Sequence, residues 1–448
     1  MTAIKPEKRF QPAQFLAISF VIVIAIGTIL LYMPFSTKEG HISFIDAFFT
    51  ATSAVCVTGL IVQDTATYFT TYGKLVIMIL FQLGGLGIMT FSTLIMIVAG
   101  KSISIKDRLI IQEGFHHASQ MDVKSLIRSI FMFAIIIEAL ASISLFLRWR
   151  SQFSLPEAVF HSVFHSISAF CNAGFSLFSD SFMGFREDAW VNGILIFLIV
   201  FGGAGFLVLQ ELKGTVGFFV KKKRIRVSLH TKLVVLMTVG LIVCSWVIFL
   251  GIEWNHSLEN FSVKGKLLSS VFQVITPRTA GFNTLDLNTL SHGCIFLLVV
   301  LMFIGASPGS TGGGVKTSTF GVIFAFLKSK IVARDTVNVF YRTLPLNLII
   351  KALTIFILAI CVISFSTFIL LIVQPEARVV EVIFESFSAF GTVGLSLGLT
   401  PKLTTLGKAV IIFTMYTGRI GPLTLLYAFS RKRSFGRYTY VEESVMIG

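Results

Sequence analysis

The sequence predicts an all-α membrane protein of eight transmembrane helices and four re-entrant helices. These group as four repeats of span, short loop helix and span, in pseudo-fourfold arrangement around a central axis. Three observations lead there. Of the 448 residues, 54% are hydrophobic and only 13% are charged, a balance that excludes a set of soluble domains. One short pattern ending in glycine occurs four times. Basic residues collect in the segments between those occurrences.

The recurring pattern is clearest when its copies are ended on the glycine. The first runs from Asp46 through Ser53-Ala54 to Val57-Thr58-Gly59, and the second from Glu157 through Ser168-Ala169 to Asn172-Ala173-Gly174. The third runs from Ser269-Ser270 to Thr279-Ala280-Gly281, and the fourth from Glu381 through Ser388-Ala389 to Thr392-Val393-Gly394. The glycines fall 115, 107 and 113 residues apart, the signature of one repeated unit. Each copy is too short to cross a bilayer, and irregular backbone at membrane depth persists only where it lines a cavity.

Flanking each copy are two apolar stretches of about 20 residues, the length that crosses ~30 Å of hydrocarbon. The first members lie near Phe15–Leu31, Ile130–Phe146, Leu233–Ile252 and Leu348–Val373; the second near Lys74–Val98, Val191–Leu209, His292 onward and Lys408–Phe429. The repeats therefore divide as 1–100, 101–212 with its preceding linker, 213–327 and 328–448. Lys5, Lys8 and Arg9 precede the first stretch with no small-residue cleavage site, as in a retained span. Most Lys and Arg sit in the linkers and termini, densest at Lys221-Lys222-Lys223-Arg224-Ile225-Arg226 and Arg431-Lys432-Arg433. By the positive-inside rule these face the cytoplasm, with both termini inside a plasma (inner) membrane and all four glycine-ended loops entering from outside. A basic run between two spans, without interleaved aromatics, gives no reason to expect nucleic acid. The five cysteines are scattered without metal spacing, and no nucleophile elbow, metal helix or paired-carboxylate signature points to an enzyme.

A span, a short helix, an extended return and a second span form the layout of a cation pore loop. A dehydrating ion needs oxygen ligands, which backbone carbonyls aimed at an axis supply; glycine permits the φ > 0 that keeps them aimed. Thr392-Val393-Gly394 matches the opening of the potassium-channel filter Thr-Val-Gly-Tyr-Gly, from which Leu395 and Ser396 depart. This degenerate fourfold pattern resembles the Trk/Ktr/HKT superfamily of potassium transporters, and the short eight-span form resembles bacterial Ktr membrane subunits of the KtrB/KtrD type. Carried over by position, the resemblance implies Gly59, Gly174, Gly281 and Gly394 as filter glycines. It implies Val57, Thr58, Asn172, Ala173, Thr279, Ala280, Thr392 and Val393 as carbonyl donors to potassium, with sodium as a further ion. It also implies a homodimer on a ring of cytosolic nucleotide-binding RCK subunits. This chain has no Rossmann segment, so nucleotide is expected on the partner only and no cofactor on the chain itself. The basic linkers would meet that partner, or anionic membrane lipid.

The third repeat's second span is unusual. Cys294 to Ile304 gives only 11 apolar residues before Gly305-Ala306-Ser307-Pro308-Gly309-Ser310-Thr311-Gly312-Gly313-Gly314. Five glycines and a proline cannot continue a helix, so a polar break in a pore-lining span is expected over 305–317, acting as a gate. The resemblance implies the same. Gly309 to Thr317 nearly spells a phosphate-binding loop, but Val315 separates the last glycine from Lys316 and no strand precedes it. Arg419 lies inside an apolar span, at a cost of at least ~2.5–3.5 kcal/mol unless it faces water or a partner; the resemblance places a pore-facing arginine here, holding gate carbonyls. Glu138 carries the same cost and is read as an interhelical hydrogen bond or a protonated core carboxyl. Gly84-Gly85-Leu86-Gly87 and Gly202-Gly203-Ala204-Gly205 read as close packing or a kink, and His161/His165 as loop-helix packing. The competing reading of the whole chain is a secondary transporter with a midplane site between inverted repeats.

Overall fold

The computed structural model describes residues 12–88, 90, 123–212 and 227–429, with the single positions 441, 443 and 446. The basic residues of the N-terminus, the clusters at 221–226 and 431–433, His116, His117 and the end of the first repeat's second span lie outside the described residues.

The helices fall into four similar units. The first is α1 (Pro12–Tyr32), α2 (Phe44–Val55) and α3 (Thr71–Leu86); the second is α4 (Val123–Trp149), α5 (Leu155–Cys171), α6 (Ala189–Ala204) and α7 (Phe206–Leu212). The third is α8 (Leu229–Glu253), α9 (Val263–Ile275), α10 (His292–Phe303) and α11 (Thr317–Ile331). After a two-stranded hairpin, β1 (Asn338–Val339) and β2 (Arg342–Thr343), the fourth is α12 (Leu346–Val373), α13 (Val379–Gly391), α14 (Thr405–Ile420) and α15 (Pro422–Phe429).

Side-chain caps set where the helices begin. Ser43, Thr70, Asp188, Ser228, Ser262, Ser291 and Thr404 each accept a hydrogen bond from a backbone N–H of the first turn, which supplies one of the donors a helix start leaves unpaired. The long helices α1, α4, α8 and α12 are apolar on all sides, yet only 22% to 33% of their most apolar windows is buried. Phe15, Ile18, Val21, Ile22, Ile26 and Ile29 of α1 all point outward. Such a surface is stable in hydrocarbon, not in water. Among the described residues four helices have the length and apolarity to cross a membrane, or six when α6–α7 and α14–α15 each count as one bent span; α3 and α10 are shorter apolar helices.

The units interlock in a closed order. Each short helix (α2, α5, α9, α13) packs on the long helix of its own unit, and also on the second helix of the unit before it: α3 on α5, α6 on α9, α10 on α13 and α14 on α2. The last contact joins the fourth unit to the first. A half-buried ion pair between Lys408 of α14 and Asp46, in the first turn of α2, strengthens it, with the carboxylate placed where the helix dipole favours it.

The sequence predicts second spans of about 20 residues in the first, second and fourth repeats, with packing or a kink at the glycine clusters of the first two; the structure breaks all three. α3, α6 and α14 all stop, at Gly87, Gly205 and Gly421, with φ of 87°, 94° and 92°. The chain turns by 104° at Gly205 and by 96° at Gly421. A single residue in this φ range ends a helix without lowering hydropathy, so the break leaves little trace in an apolar run. The glycines just before each break are there for proximity. A Cβ at Gly84 would lie 2.0 Å from the Val55 carbonyl oxygen, at Gly202 2.0 Å from that of Phe170, and at Gly418 1.9 Å from that of Phe390.

We therefore expect Gly202→Ala to destabilise the protein by about 1–3 kcal/mol, the usual cost of overpacking. Gly193→Ala in the same helix, where nothing lies within 4 Å, should leave it unchanged or slightly stabler. Thermal unfolding of the two variants in detergent checks this.

Candidate functional site

The return segments after α2, α5, α9 and α13 share one backbone plan. The residue two before each glycine is left-handed although it is not glycine: Val57 (φ 59°), Asn172 (57°), Thr279 (76°) and Thr392 (50°). The glycines themselves follow at φ 86°, 71°, 78° and 94° for Gly59, Gly174, Gly281 and Gly394. Extended backbone turns successive carbonyls to opposite sides; alternating the sign of φ turns them toward one side. Holding a Val or Thr left-handed costs of order 1 kcal/mol or more, which persists only where the surroundings impose it.

The four glycines meet. A Cβ at Gly59 would lie 2.4 Å from the Ala173 oxygen, and one at Gly174 3.0 Å from the Ala280 oxygen. One at Gly281 would lie 2.3 Å from the Val393 oxygen, and one at Gly394 2.2 Å from the Thr58 oxygen. Each glycine thus faces the carbonyl that precedes its neighbour's glycine, and the order runs 1, 2, 3, 4 and back to 1. All twelve residues expected at a filter, Val57 to Gly59, Asn172 to Gly174, Thr279 to Gly281 and Thr392 to Gly394, lie on these four segments.

A hydroxyl at the end of each short helix ties its return segment down, and sequence reasoning missed this role. Ser53 Oγ donates to the Leu60 carbonyl at 2.7 Å and accepts from the Gly59 N–H at 3.1 Å. Ser168 donates to Phe175 O at 2.8 Å, and Thr276 to Phe282 O at 2.6 Å; Ser388 accepts from the Gly394 N–H at 3.1 Å. The Ser-Ala pairs of three copies were the available signal. The third copy hides it, because its hydroxyl is a Thr and its loop is one residue shorter.

The glycine-rich loop between α10 and α11 lies against the same centre. Its ends pair through a bridge of Ile304 with Val315, and the Gly313 N–H donates to Thr392 Oγ1 at 3.1 Å. A Cβ at Gly312 would lie 2.1 Å from Thr279 Oγ1, and Thr279 accepts in turn from Asn172 Nδ2 at 3.3 Å. The loop also uses carbonyls that the broken helices leave free. Thr311 N donates to Gly202 O at 3.2 Å, and Gly314 N to Gly418 O at 3.3 Å. These oxygens lack their helical donors: Phe206 N turns instead to Gly309 O, and residue 422 is a proline. Arg419, half-buried, donates to the carbonyls of Thr311 and Gly84. Lys316, unassigned by sequence, donates through Nζ to Gly312 O at 2.7 Å. With Thr311, Gly313 and Gly314 N–H groups so engaged, the loop does not present the free amides a phosphate cradle needs.

Glu138 is explained by an interhelical bond. Gln82 Nε2 of α3 donates to both its oxygens at 3.1 Å, while Gln82 Oε1 accepts from the Cys171 thiol at 3.0 Å. His165 stacks on Phe178 with centroids 4.7 Å apart, and His161 and His165 belong to no metal-binding group among the described residues.

The family model for TrkH, a cation transport protein, matches residues 5–438. The chain belongs to this family. Its relatives in it are transporters, not enzymes. The chain is 42% identical to the Ktr system potassium uptake protein B of Bacillus subtilis over 94% of each chain. It is 37% identical to protein D of the Ktr system of the same organism over 98% of this chain and 97% of that one. To the potassium/sodium uptake protein NtpJ of Enterococcus hirae it is 36% identical over the full length of both. The fold is similar to the crystal structure of the potassium transporter TrkH from Vibrio parahaemolyticus, with a TM-score of 0.74 at 18% identity, over 96% of this chain and 87% of that one.

Replacing Ser53 by Ala strands a buried N–H and a buried carbonyl at once. We expect a loss of about 1–3 kcal/mol, read as a lowered thermal midpoint, with Ser53→Thr recovering most of it.

Proposed function

We propose that this TrkH-family chain is the potassium-translocating subunit of a Ktr-type uptake system. In this reading the four units are M1–pore loop–M2 repeats around a central pore, divided at about 100, 212 and 327. The four glycine-ended segments form its filter, and both termini are cytoplasmic. The observation that carries the reading is the closed order of glycines, each within a methyl's reach of its neighbour's carbonyl. Backbone brought that close, with φ alternating in sign, offers oxygens from four segments to one small cation. Side chains are excluded from the meeting point, so the ligands are main-chain oxygens.

The loop 305–314 is the gate. It lies against Thr279 and Thr392 and is held by neutral backbone bonds plus the contacts of Arg419 and Lys316. Several such bonds, each worth about 0.5–1.5 kcal/mol net, can be exchanged together in an open state. The positive charge of Arg419 at this point opposes cation passage while the loop is in place. The Ktr relatives are named as parts of a system, which supports a separate regulatory subunit: a cytosolic nucleotide-binding RCK ring below a homodimer of this chain. The relative named for potassium and sodium makes the sodium dependence of flux the quantity to measure.

In a strain lacking potassium uptake, the chain should restore growth at low potassium when expressed with a regulatory ring. Gly59→Asp and Gly394→Asp should abolish the preference for potassium; rubidium uptake and cation preference unchanged in both would remove the filter assignment. In proteoliposomes, deleting Gly312 to Gly314, or replacing Arg419 by Gln, should raise rubidium flux several-fold without loss of assembly. Unchanged or lost flux in a well-folded protein would argue against a gate.

A further inference from the structure

Three residues before each hydroxyl that ties down a return segment stands another buried polar residue: Thr50, His165, Gln273 and Glu385, each at most 2% exposed. A three-residue step on a helix keeps the same face, so all four sit behind the return segment of their own unit. Their chemistry differs, and so does their use.

In the second unit the His165 ring is fixed at both nitrogens. Nδ1 lies 2.8 Å from the His161 carbonyl, Nε2 accepts from the Leu177 N–H at 3.0 Å, and Ser176 Oγ lies 3.3 Å from Nε2. In the fourth unit Glu385 accepts from Ser396 Oγ at 2.9 Å through one oxygen and from Thr400 Oγ1 through the other. Ser176 and Ser396 occupy the same place, two residues past the glycine. At that place the first unit has Ile61, and the third has Asn283, whose amide nitrogen is engaged with Leu285 O at 3.0 Å. The Thr50 hydroxyl and both amide atoms of Gln273 have no hydrogen-bond partner among the described residues. Every segment therefore has its helix-end hydroxyl, and two segments, the second and the fourth, have an additional strut to the outgoing chain. In the order 1, 2, 3, 4 these two stand opposite one another.

Burying a carboxyl costs several kcal/mol unless it is well satisfied. Glu385 has no ion-pair partner among the described residues, and its two oxygens are spent on two hydroxyls of the segment just past Gly394. Such an expenditure makes sense where backbone position matters. We propose that Glu385 and His165 are positioning residues for ion selection, bracing one diagonal pair of filter segments so that their carbonyls cannot close in around a cation smaller than potassium, while Thr50 and Gln273 leave the other pair without this brace. The proposal rests on the filter reading above.

The test uses the full chain in proteoliposomes, with rubidium and sodium uptake measured on the same preparations and assembly checked by size exclusion. Glu385→Ala should lower the rubidium-to-sodium ratio about tenfold, the scale set by leaving the hydroxyls of Ser396 and Thr400 without their acceptor, with total cation flux retained. Glu385→Gln, which can still accept from Thr400 and bond Ser396, should restore the ratio to within about threefold of the parent. Ser396→Ala, which removes a partner instead of the carboxyl, should lower it too and serves if Glu385→Ala does not assemble. Gln273→Leu should leave it unchanged. A parental ratio in Glu385→Ala, or in Ser396→Ala where only that variant assembles, would overturn the proposal, as would an equal fall in Gln273→Leu. If Gly59→Asp and Gly394→Asp abolish preference while these variants do not, the brace fails and the filter stands; if the glycine variants also change nothing, the filter reading itself fails.

Discussion

The structure is organised by one steric requirement: four backbones approach each other more closely than any Cβ allows. At Gly59, Gly281 and Gly394 the nearest foreign carbonyl oxygen would be 2.2 to 2.4 Å from an added methyl carbon, well inside van der Waals contact. Everything around these points serves to hold unfavourable backbone in place. The left-handed Val57, Asn172, Thr279 and Thr392 cannot sustain their conformation alone. The hydroxyls at Ser53, Ser168, Thr276 and Ser388 fasten the returning chain to the helix that delivered it, and the second helices press from behind through glycines of their own.

Those second-helix glycines carry the same requirement outward by one layer. Gly84, Gly202 and Gly418 each admit a carbonyl from the end of a short helix, at Val55, Phe170 and Phe390, four residues before the respective central glycine. The spacing is the same in all three units, so the close packing is a property of the unit and not of one helix pair. Around this centre the long helices need only be apolar, and their unburied faces show no further specification.

How much of this could be read from the sequence depended on what kind of constraint each residue meets. The central glycines were legible because no other residue type satisfies both a positive φ and such proximity, so the same letter returns at each copy. The glycine-rich loop was legible because ten residues of altered composition interrupt an apolar run. The helix breaks at Gly87 and Gly205 showed only as glycine clusters that packing or a kink would explain equally, and the one at Gly421 not at all, since one residue's φ changes direction without changing hydropathy. Thr276 was hidden by the shortened third loop. Thr50, His165, Gln273 and Glu385 were hidden for the opposite reason to the glycines: four chemistries occupy one position, and only contacts show that they belong together. Arg419 stands out in sequence as a cation in an apolar span, and it donates to the carbonyls of Thr311 and Gly84; Lys316 does not stand out, because it lies beside a loop already full of polar residues.

The helix breaks also account for how a loop with so little side-chain material can lie at the centre at all. Along a continuous helix each carbonyl is already bonded to the N–H four residues on, which leaves only its second lone pair for another donor. By turning away at Gly205 and at Gly421-Pro422, α6 and α14 leave the carbonyls of Gly202 and Gly418 without that donor, and the break at Gly87 leaves Gly84 within reach of Arg419. Three equivalent oxygens thus face inward from three units. The third unit's second helix has opened into the loop, whose Thr311 and Gly314 N–H groups donate to Gly202 and Gly418, while Gly84 is met by Arg419 of the fourth unit. In the third unit a continuous second helix is thus replaced by a loop held partly by carbonyls that the breaks in α6 and α14 set free, and partly by the side chains of Thr392, Arg419 and Lys316.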